Sequence, residues 1–283
     1  MSRLRIGIPS KGRLGDQATE LLMDGGLSFR RQDRSLFARV RELDVDVTFL
    51  RTSDIPTLCA EGAIDLGISG SDVISEMDAQ VTTRLPLGIG KCRLTICVPE
   101  ESDIASAADL NGRRVATKFP RITSQYLKQH GADVHLVKLN GSIEVMTSLG
   151  VADAIVDIVE TGSTLAANQL RILEDIGRYE TVLMQSPKAQ KTDMIDLIVR
   201  RLEGVVIARS YSLLEYNIPR DKLEAAEQIT PGFNSPTVNA LEDPAWCAVR
   251  AMVRRSDVIS AMERLEQLGA SAILETQIAN CRL

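Results

Sequence analysis

Near the amino terminus Leu4, Ile6 and Ile8 alternate with Arg and Gly, a period of two that predicts a strand. The following "SKGRLGDQATELLMDGG" places Leu14, Ala18, Leu21 and Leu22 on one face at helical spacing. Short apolar runs then recur as "VDVTFL", "AIDLGIS", "RLTICVP", "RRVATK", "VHLVKL" and "DAIVDIV", each read as a strand. Helices are predicted between several of them, at "DIPTLCAEG", "ITSQYLKQHG" and "SIEVMTSLGV". Strands alternating with helices across short loops predict an α/β fold with a mostly parallel, doubly wound sheet. Such sheets bind ligands at the carboxyl ends of their strands, where loops enter helices.

From Gly204 the rhythm changes. "GVVIARSY" reads as a strand and "PRDKLEAAEQI" as a helix with Pro219 in its first turn. "SPTVNAL" and "WCAVRAMV" read as strands, "SDVISAMERLEQLG" as a helix, and "SAILETQI" as a final strand. The helix carries Val258, Ile259, Met262, Leu265 and Leu268 on one face. The order β-α-β-β-α-β is that of a ferredoxin-like module. No low-complexity linker and no strong internal repeat separates it from the rest.

Composition narrows the function classes. The chain has 283 residues, 44% hydrophobic and 25% charged, as a globular protein with a sizeable core does. Its net charge of −5 argues against a general nucleic-acid binder but leaves room for small anions, which need only a local group of cations and N–H donors. No run of apolar residues is long enough for a membrane span. "MSRLRIGIPSKGRL" lacks the long apolar region of a signal peptide, so a cytoplasmic location is expected. Cys59, Cys92, Cys97, Cys247 and Cys281 are scattered without a C-x-x-C pair. His130 and His135 are the only histidines, and neither has carboxylates at ligand spacing. Chemistry that needs a catalytic His or a structural zinc is therefore not expected.

The segment "DIVETGSTL", Asp157 to Leu165, is the strongest candidate for chemistry. A strand ending at about Val159 and a helix starting at about Thr164 leave Glu160, Thr161, Gly162 and Ser163 as the connecting loop. Gly162 allows a backbone that turns several N–H groups toward one point. The helix terminus adds unpaired N–H donors, and Thr161, Ser163 and Thr164 add hydroxyls. Together these suit a phosphate monoester; an ordinary N-capped helix is the other reading of the loop alone. Asp157, four residues before Thr161, is placed to accept hydrogen bonds from the hydroxyls of a sugar whose 5-phosphate fills the loop. D-x-x-x-T-G-x-T resembles the motif of enzymes that use phosphoribosyl diphosphate (PRPP), although many of those begin it with two acids and here Val156 precedes Asp157.

Further segments carry a wider resemblance: "IPSKGRL", "FLRTSDIPTL", "GISGSDV", "LNGSIEV" and "GVADAIVDIVETGSTLAANQL", then "EGVV", "ITPGFNSPTV" and "LGASAILETQI". Over essentially the whole chain these resemble the ATP phosphoribosyltransferases that open histidine biosynthesis, in the long form with its own regulatory domain. The resemblance implies a two-lobed, periplasmic-binding-protein-like (type II) catalytic core followed by an ACT-like, ferredoxin-like domain. Lobe I would comprise residues 1–90 and 182–203, lobe II residues 91–181, and the regulatory domain residues 204–283.

The implied reaction joins N1 of ATP to C1 of the PRPP ribose, expels pyrophosphate and uses Mg²⁺ held mainly by substrate phosphates. Thr161, Gly162, Ser163 and Thr164, with Glu160, would hold the 5-phosphate, and Asp157 and Glu144 the ribose hydroxyls. Lys11, Gly12 and Arg13, in a loop that enters a helix, and Arg51, after "VDVTFL", would meet ATP or the departing pyrophosphate. Arg34 is assigned the same role, with Arg30 and Arg31 as neighbouring alternatives, and Asp72 either caps a helix or touches ligand. Asn217, Ser235, Thr237 and Ala272 would surround inhibitory histidine, Asn217 standing where relatives have an acid. A homo-oligomer, from dimer to hexamer, is implied as well. Kept beside this reading are a non-catalytic two-lobed binder of anions or nucleotides, a phosphoribosyltransferase for another base, and a PRPP-sensing regulator, which no helix-turn-helix pattern supports.

Gly162→Val places a β-branched side chain in the loop and disfavours positive φ. Steady-state kinetics should show a raised PRPP KM or lost turnover, with ATP binding much less affected. Equal loss of both affinities in a folded variant would count against the loop assignment.

Overall fold

The computed structural model describes residues 3–32, 35–139, 141–159 and 163–282, with the backbone alone at Ser163. The chain forms two compact units, Met1–Glu20 with Ser28–Ile195, and Leu21–Leu27 with Asp196–Leu283.

The first unit contains two α/β lobes. Lobe I runs β1 (Leu4–Pro9), α1 (Gly12–Asp24), β2 (Phe37–Arg39), β3 (Val45–Leu50), α2 (Ile55–Ala60), β4 (Leu66–Gly70), α3 (Ser71–Met77) and β5 (Thr82–Pro86). β1 lies at the sheet's centre, parallel to β3 on one side and β4 on the other. Its Leu4, Ile6 and Ile8 are fully buried, as a strand covered on both faces requires. Lobe II runs β6 (Cys92–Pro99), β7 (Arg114–Thr117), α4 (Pro120–Gln129), β8 (His135–Lys138), β9 (Ala154–Val159), α5 (Ser163–Ala167) and β10 (Leu170–Tyr179). Its sheet order is β10-β6-β9-β7-β8, packed around Leu94, Ile96, Val98, Leu110, Val115, Leu127 and Val156.

The chain then returns. β11 (Thr181–Gln185) enters lobe I between β4 and β5, antiparallel to both, giving the order β2-β3-β1-β4-β11-β5. Two crossings thus join the lobes, and they bond to each other: Thr181 N–H donates to Ile89 O and Leu87 N–H to Thr181 O, both at 3.0 Å. The sheets are mixed, which corrects the expectation of a mostly parallel one. Parallel pairing is confined to β1, β3 and β4 and to β7, β8 and β9, while β2, β6, β10 and β11 pair antiparallel with their neighbours. "SIEVMTSLGV" forms only a 3₁₀ turn at Ile143–Val145 followed by further turns, rather than the helix its apolar spacing suggests.

The second unit holds most of α6 (Thr192–Ser210), which corrects the reading of "GVVIARSY" as a strand. Three β-branched residues in a row imitate a strand locally. The longer pattern decides: Ile198, Leu202, Val205 and Ala208 are all fully buried at helical spacing. The strand that opens the module is instead β12 (Tyr211–Pro219), with buried and half-buried positions alternating throughout. Pro219 ends this strand and precedes a 3₁₀ turn, so the helix α7 (Leu223–Ile229) starts later than expected. β13 (Thr237–Ala240), β14 (Trp246–Arg254), α8 (Val258–Leu268) and β15 (Ser271–Gln277) complete β-α-β-β-α-β. The antiparallel sheet has the order β13-β14-β12-β15 of a ferredoxin-like module, and Leu214, Ile218, Val249 and Ala251 face Val258, Ala261 and Leu265 of α8 in one core. No helix among the described residues is long and apolar enough to cross a membrane.

In that core the Tyr216 hydroxyl lies 2.7 Å from Thr230 Oγ1, which in turn donates to Ala226 O at 3.2 Å. The chain of donors makes the two partners unequal. Thr230→Val strands a buried phenol and should cost about 1–3 kcal/mol, whereas Tyr216→Phe leaves the Thr230 bond to Ala226 intact and should cost about 1 kcal/mol or less. Urea unfolding of the two full-length variants measures the difference, and equal costs would contradict the donor order.

Candidate active site

Lobe I brings its candidates to the carboxyl ends of three adjacent parallel strands. Lys11 and Gly12 follow β1, Arg51 follows β3, and Asp72 follows β4. The turn after β1 depends on glycine twice. Gly12 has φ +76°, and a Cβ on Gly15 would stand 2.7 Å from the Pro9 carbonyl oxygen, so α1 can start directly above its own strand. Lys11, Arg13 and Arg51 are exposed at this end of the sheet. Arg34 lies outside the described residues. Its neighbour Arg31 reaches the same turn: its guanidinium donates to Ser10 O at 2.8 Å and stacks 4.1 Å above the Phe49 ring.

Lobe II assembles its candidates by the same rule. Asp157 lies on β9, two residues from its carboxyl end, 18% exposed at its side chain, with Lys118 Nζ 3.6 Å from Oδ2. Lys118 is the residue after β7, which runs parallel to β9. Glu144 is half-buried in the 3₁₀ turn beyond β8, again on the carboxyl side of a parallel strand. Glu160, Thr161 and Gly162 fall outside the described residues. Ser163 opens α5, and Thr164 is exposed in its first turn. That helix has five residues and starts one residue before the expected Thr164.

A cavity of about 610 Å³ lies where the two crossings meet, lined by Ser71, Lys91, Cys92, Arg93, Val159, Arg178 and Tyr179 among others. Val159 ties it to the Asp157 segment, since it is the last residue of β9. Three cations, Lys91, Arg93 and Arg178, stand around it with Glu180 as the acid in its lining. Burial raises the Tyr179 phenol's pKa, and the nearby Asp72, Cys92 and Glu76 reinforce this, so the hydroxyl stays protonated at neutral pH and can donate. Asp72 is 7% exposed in the first turn of α3, while the cap position is Gly70 and makes no side-chain cap. Its carboxylate meets the Val73 and Asp72 N–H groups of that first turn from inside the helix, and it is not among the residues lining the cavity.

Lys91, Arg93, Arg178 and Lys118 were missed in the sequence. The reasoning that selects Arg51, a cation just past a strand's carboxyl end, finds Lys118 equally well. Lys91 directly precedes a strand that runs the other way, so its place depended on knowing that β6 is antiparallel. In the second unit Asn217 is half-buried on β12, Ser235 and Thr237 are exposed, and Ala272 has φ +49° on β15. Thr237 pairs with Arg250 of β14, and Asn217 pairs with Ala248 of β14 and Ser271 of β15. Asn217 thus lies beside the Ser271–Ala272 end of β15, whereas Thr237 is on β13 at the opposite edge of the sheet and Ser235 precedes that strand.

The buried Asp72 has a direct thermodynamic signature. Burial raises its pKa in the folded chain, against the N–H groups of Val73 and Asp72 that favour the carboxylate. An acid whose folded pKa exceeds the unfolded value of about 3.9 loses stability as pH rises through the folded pKa. Asp72→Asn should therefore be at least as stable as the parent chain at pH 7, with the advantage vanishing below about pH 4. Denaturant unfolding across pH 3–7 checks the slope, and a variant less stable at pH 7 than at pH 4 relative to the parent reverses the assignment.

Comparison with known proteins shows the family to which the chain belongs. The family model described as ATP phosphoribosyltransferase matches residues 51–204, and the model for its C-terminal domain matches residues 208–280. An ATP phosphoribosyltransferase of Rhodopirellula baltica is 63% identical over 282 residues, covering 100% of this chain and 94% of its own length. One from Saccharopolyspora erythraea is 40% identical, covering 99% of this chain and 100% of its own. Among solved structures, the ATP phosphoribosyl transferase (HisG:HisZ) complex of Thermotoga maritima contains a similar chain, with TM-score 0.65 and 30% identity over 72% of this chain and 98% of that one. With both family models matched in order, and with relatives similar from end to end, this chain belongs to the ATP phosphoribosyltransferase family, in the long form that carries its own C-terminal domain.

Proposed function

We propose that Asp157 and the segment after it hold PRPP, and that the cationic cavity beside Val159 receives the triphosphate of ATP. The reaction is that of the family: the 5-phosphoribosyl group passes from PRPP to N1 of ATP and pyrophosphate leaves, the first step of histidine biosynthesis. Adenine N1 attacks the anomeric carbon as the bond from C1 to the diphosphate oxygen breaks, and the bonding electrons depart with pyrophosphate. The transition state resembles an oxocarbenium ion, so no protein nucleophile is needed. Catalysis rests on alignment and on meeting the negative charge that develops on the leaving group.

The observation that carries this assignment is the position of Val159, at once the end of the strand bearing Asp157 and part of the wall shared with Lys91, Arg93 and Arg178. A ribose at Asp157 and a polyphosphate among those cations would be neighbours. Lys118, 3.6 Å from Asp157, supports a fixed orientation of that carboxylate toward the ribose hydroxyls. Lys11 and Arg51 add positive charge from the lobe I strand ends. Mg²⁺ would be held mainly by the substrate phosphates, with Asp157 and Glu144 as the candidate protein carboxylates. When bound it would neutralise diphosphate charge.

Histidine is proposed as the inhibitor, acting at the C-terminal module. Thr237 and Ala272 lie on the two outer strands of a four-stranded sheet, about 14 Å apart at the usual strand spacing. A single small ligand cannot touch both in one chain, which supports a site completed by a second copy and hence a homo-oligomer.

A pyrophosphate-release assay with PRPP and ATP, run with and without histidine, tests the whole assignment. Release should require both substrates and fall when histidine is added, without simple competition against either. Arg51→Ala should lower kcat and kcat/KM by similar factors, roughly a hundredfold, as loss of one charge-stabilising donor does. A rise in KM alone would make Arg51 a ground-state contact.

A further inference from the structure

One contact between the catalytic lobes belongs neither to the crossings nor to the cavity lining. Glu76, in α3 of lobe I, places its carboxylate against the first turn of α4 in lobe II. It accepts the Arg121 N–H at 2.9 and 3.1 Å and the Ile122 N–H at 3.0 Å. Those amides are among the donors that a helix leaves unpaired at its start, and the helix dipole adds positive potential there. The Arg121 side chain answers in the other direction. Its guanidinium donates to Ser75 O at 2.7 Å and pairs with Asp78 at 2.7 Å, so it grips the end of the helix that carries Glu76. Asp78 closes α3 in the left-handed conformation, φ +52°, which turns the chain immediately beside this pair.

We infer that Glu76 and Arg121 form a latch that holds the two lobes in their closed relation, and that Glu76 is a positioning residue for the transfer reaction. Three features carry the inference. The contact has two interlocking arms: Glu76 reaches to the α4 amides and Arg121 reaches back to Ser75 and Asp78, with every acceptor in lobe I and every donor in lobe II. It uses main-chain groups on both sides, so its geometry is fixed by the helices and not by flexible side chains alone. It joins the two elements that follow β4 and β7, the same strands whose carboxyl ends present Asp72 and Lys118. A ligand touching both lobes binds the closed form. Losing the latch lowers the fraction of chains already closed and weakens apparent affinity by that fraction. Both substrates then suffer together, while the chemistry in the closed complex is preserved.

The test is Glu76→Ala in the full-length chain, read in two ways. Hydrogen exchange at the first turn of α4 and at the crossings should quicken in the substrate-free variant, and addition of PRPP with ATP should return exchange at the crossings toward the parent value. KM for PRPP and for ATP should rise together, roughly threefold to tenfold, with kcat within about twofold, the pattern of lost uniform binding. Glu76→Gln, which keeps an acceptor without the charge, and Arg121→Ala, which removes the guanidinium arms, should fall between parent and Glu76→Ala. They keep the inference testable if Glu76→Ala does not fold. Unchanged exchange at the crossings in these variants, a rise in only one KM, or a fall in kcat with both KM values unchanged would overturn it. The exchange readout is independent of which residues bind PRPP.

Discussion

The catalytic unit depends on the insertion of β11 between β4 and β5. β4 is parallel to β1 on one side, and its other edge is satisfied by a strand that arrives only after the whole of lobe II. Val182, Leu183 and Met184 are buried in that slot, opposite Ser69, Ile68 and Gly67. Until they enter, a row of β4 amide and carbonyl groups has no partner and an apolar face is open to water. Lobe I is therefore discontinuous by necessity, and its sheet closes through a long-range pairing whose loop-closure entropy must be met before the contact forms. The same insertion brings the two crossings side by side, where Thr181 bonds to Ile89 and Leu87.

That geometry explains how a chain with net charge −5 offers a setting for polyphosphates. Charge counted over the whole sequence is dominated by acids that face water or pair locally, such as Asp44 and Asp46 with Arg3. At the crossings the chain concentrates Lys91, Arg93 and Arg178 beside a protonated Tyr179. Local arrangement, not net charge, governs recognition of a small anion, because screening confines each charge to about 10 Å. The pairing of Lys118 with Asp157 follows from register: β7 and β9 are parallel and Thr117 sits opposite Val156, so the next residue on each strand meets the other. Two strand ends in register suffice to bring cation and carboxylate together.

Much of this was legible in the sequence because it is local. Strands at "VDVTFL", "RLTICVP" and "DAIVDIV" announce themselves by dense β-branched residues, and the helices at Pro120–Gln129 and Val258–Leu268 by a clear apolar face. Two kinds of feature stayed hidden. Strand direction is set by tertiary pairing, so antiparallel β6 could not be separated from its parallel neighbours; β10 and β11 were not read as strands at all, and the cavity cations went with them. Competing local signals also misled: "GVVIARS" favours a strand by composition, yet burial of Ile198, Leu202, Val205 and Ala208 on one side makes it helix. The strand after it, "YSLLEYNIP", alternates cleanly but was masked by the mistaken strand before it. The Glu76 contact with α4 could not be read at all, since nothing in either segment's periodicity links residues that far apart.

The C-terminal module raises a sharper question of charge. Asn217 carries no charge, and the nearest carboxylate on its strand, two residues earlier, is Glu215. That group is engaged: Arg250 pairs with it at 2.6 Å. Thr237 lies opposite Arg250 across β13 and β14, so this ion pair stands between the two candidate regions of the site. A cationic ligand approaching Asn217 finds an amide that can accept a hydrogen bond but no free negative charge in this strand. Arg250 beside the Thr237 hydroxyl is committed to the same pair, both its Nε and a terminal nitrogen binding Glu215. For the histidine proposed as its ligand, the charged ends would therefore have to draw on hydroxyls, backbone groups, a rearranged Arg250–Glu215 pair or a second copy. The proposed control by histidine would require the module to bind it unequally in two arrangements of the protein, because equal affinity would shift neither.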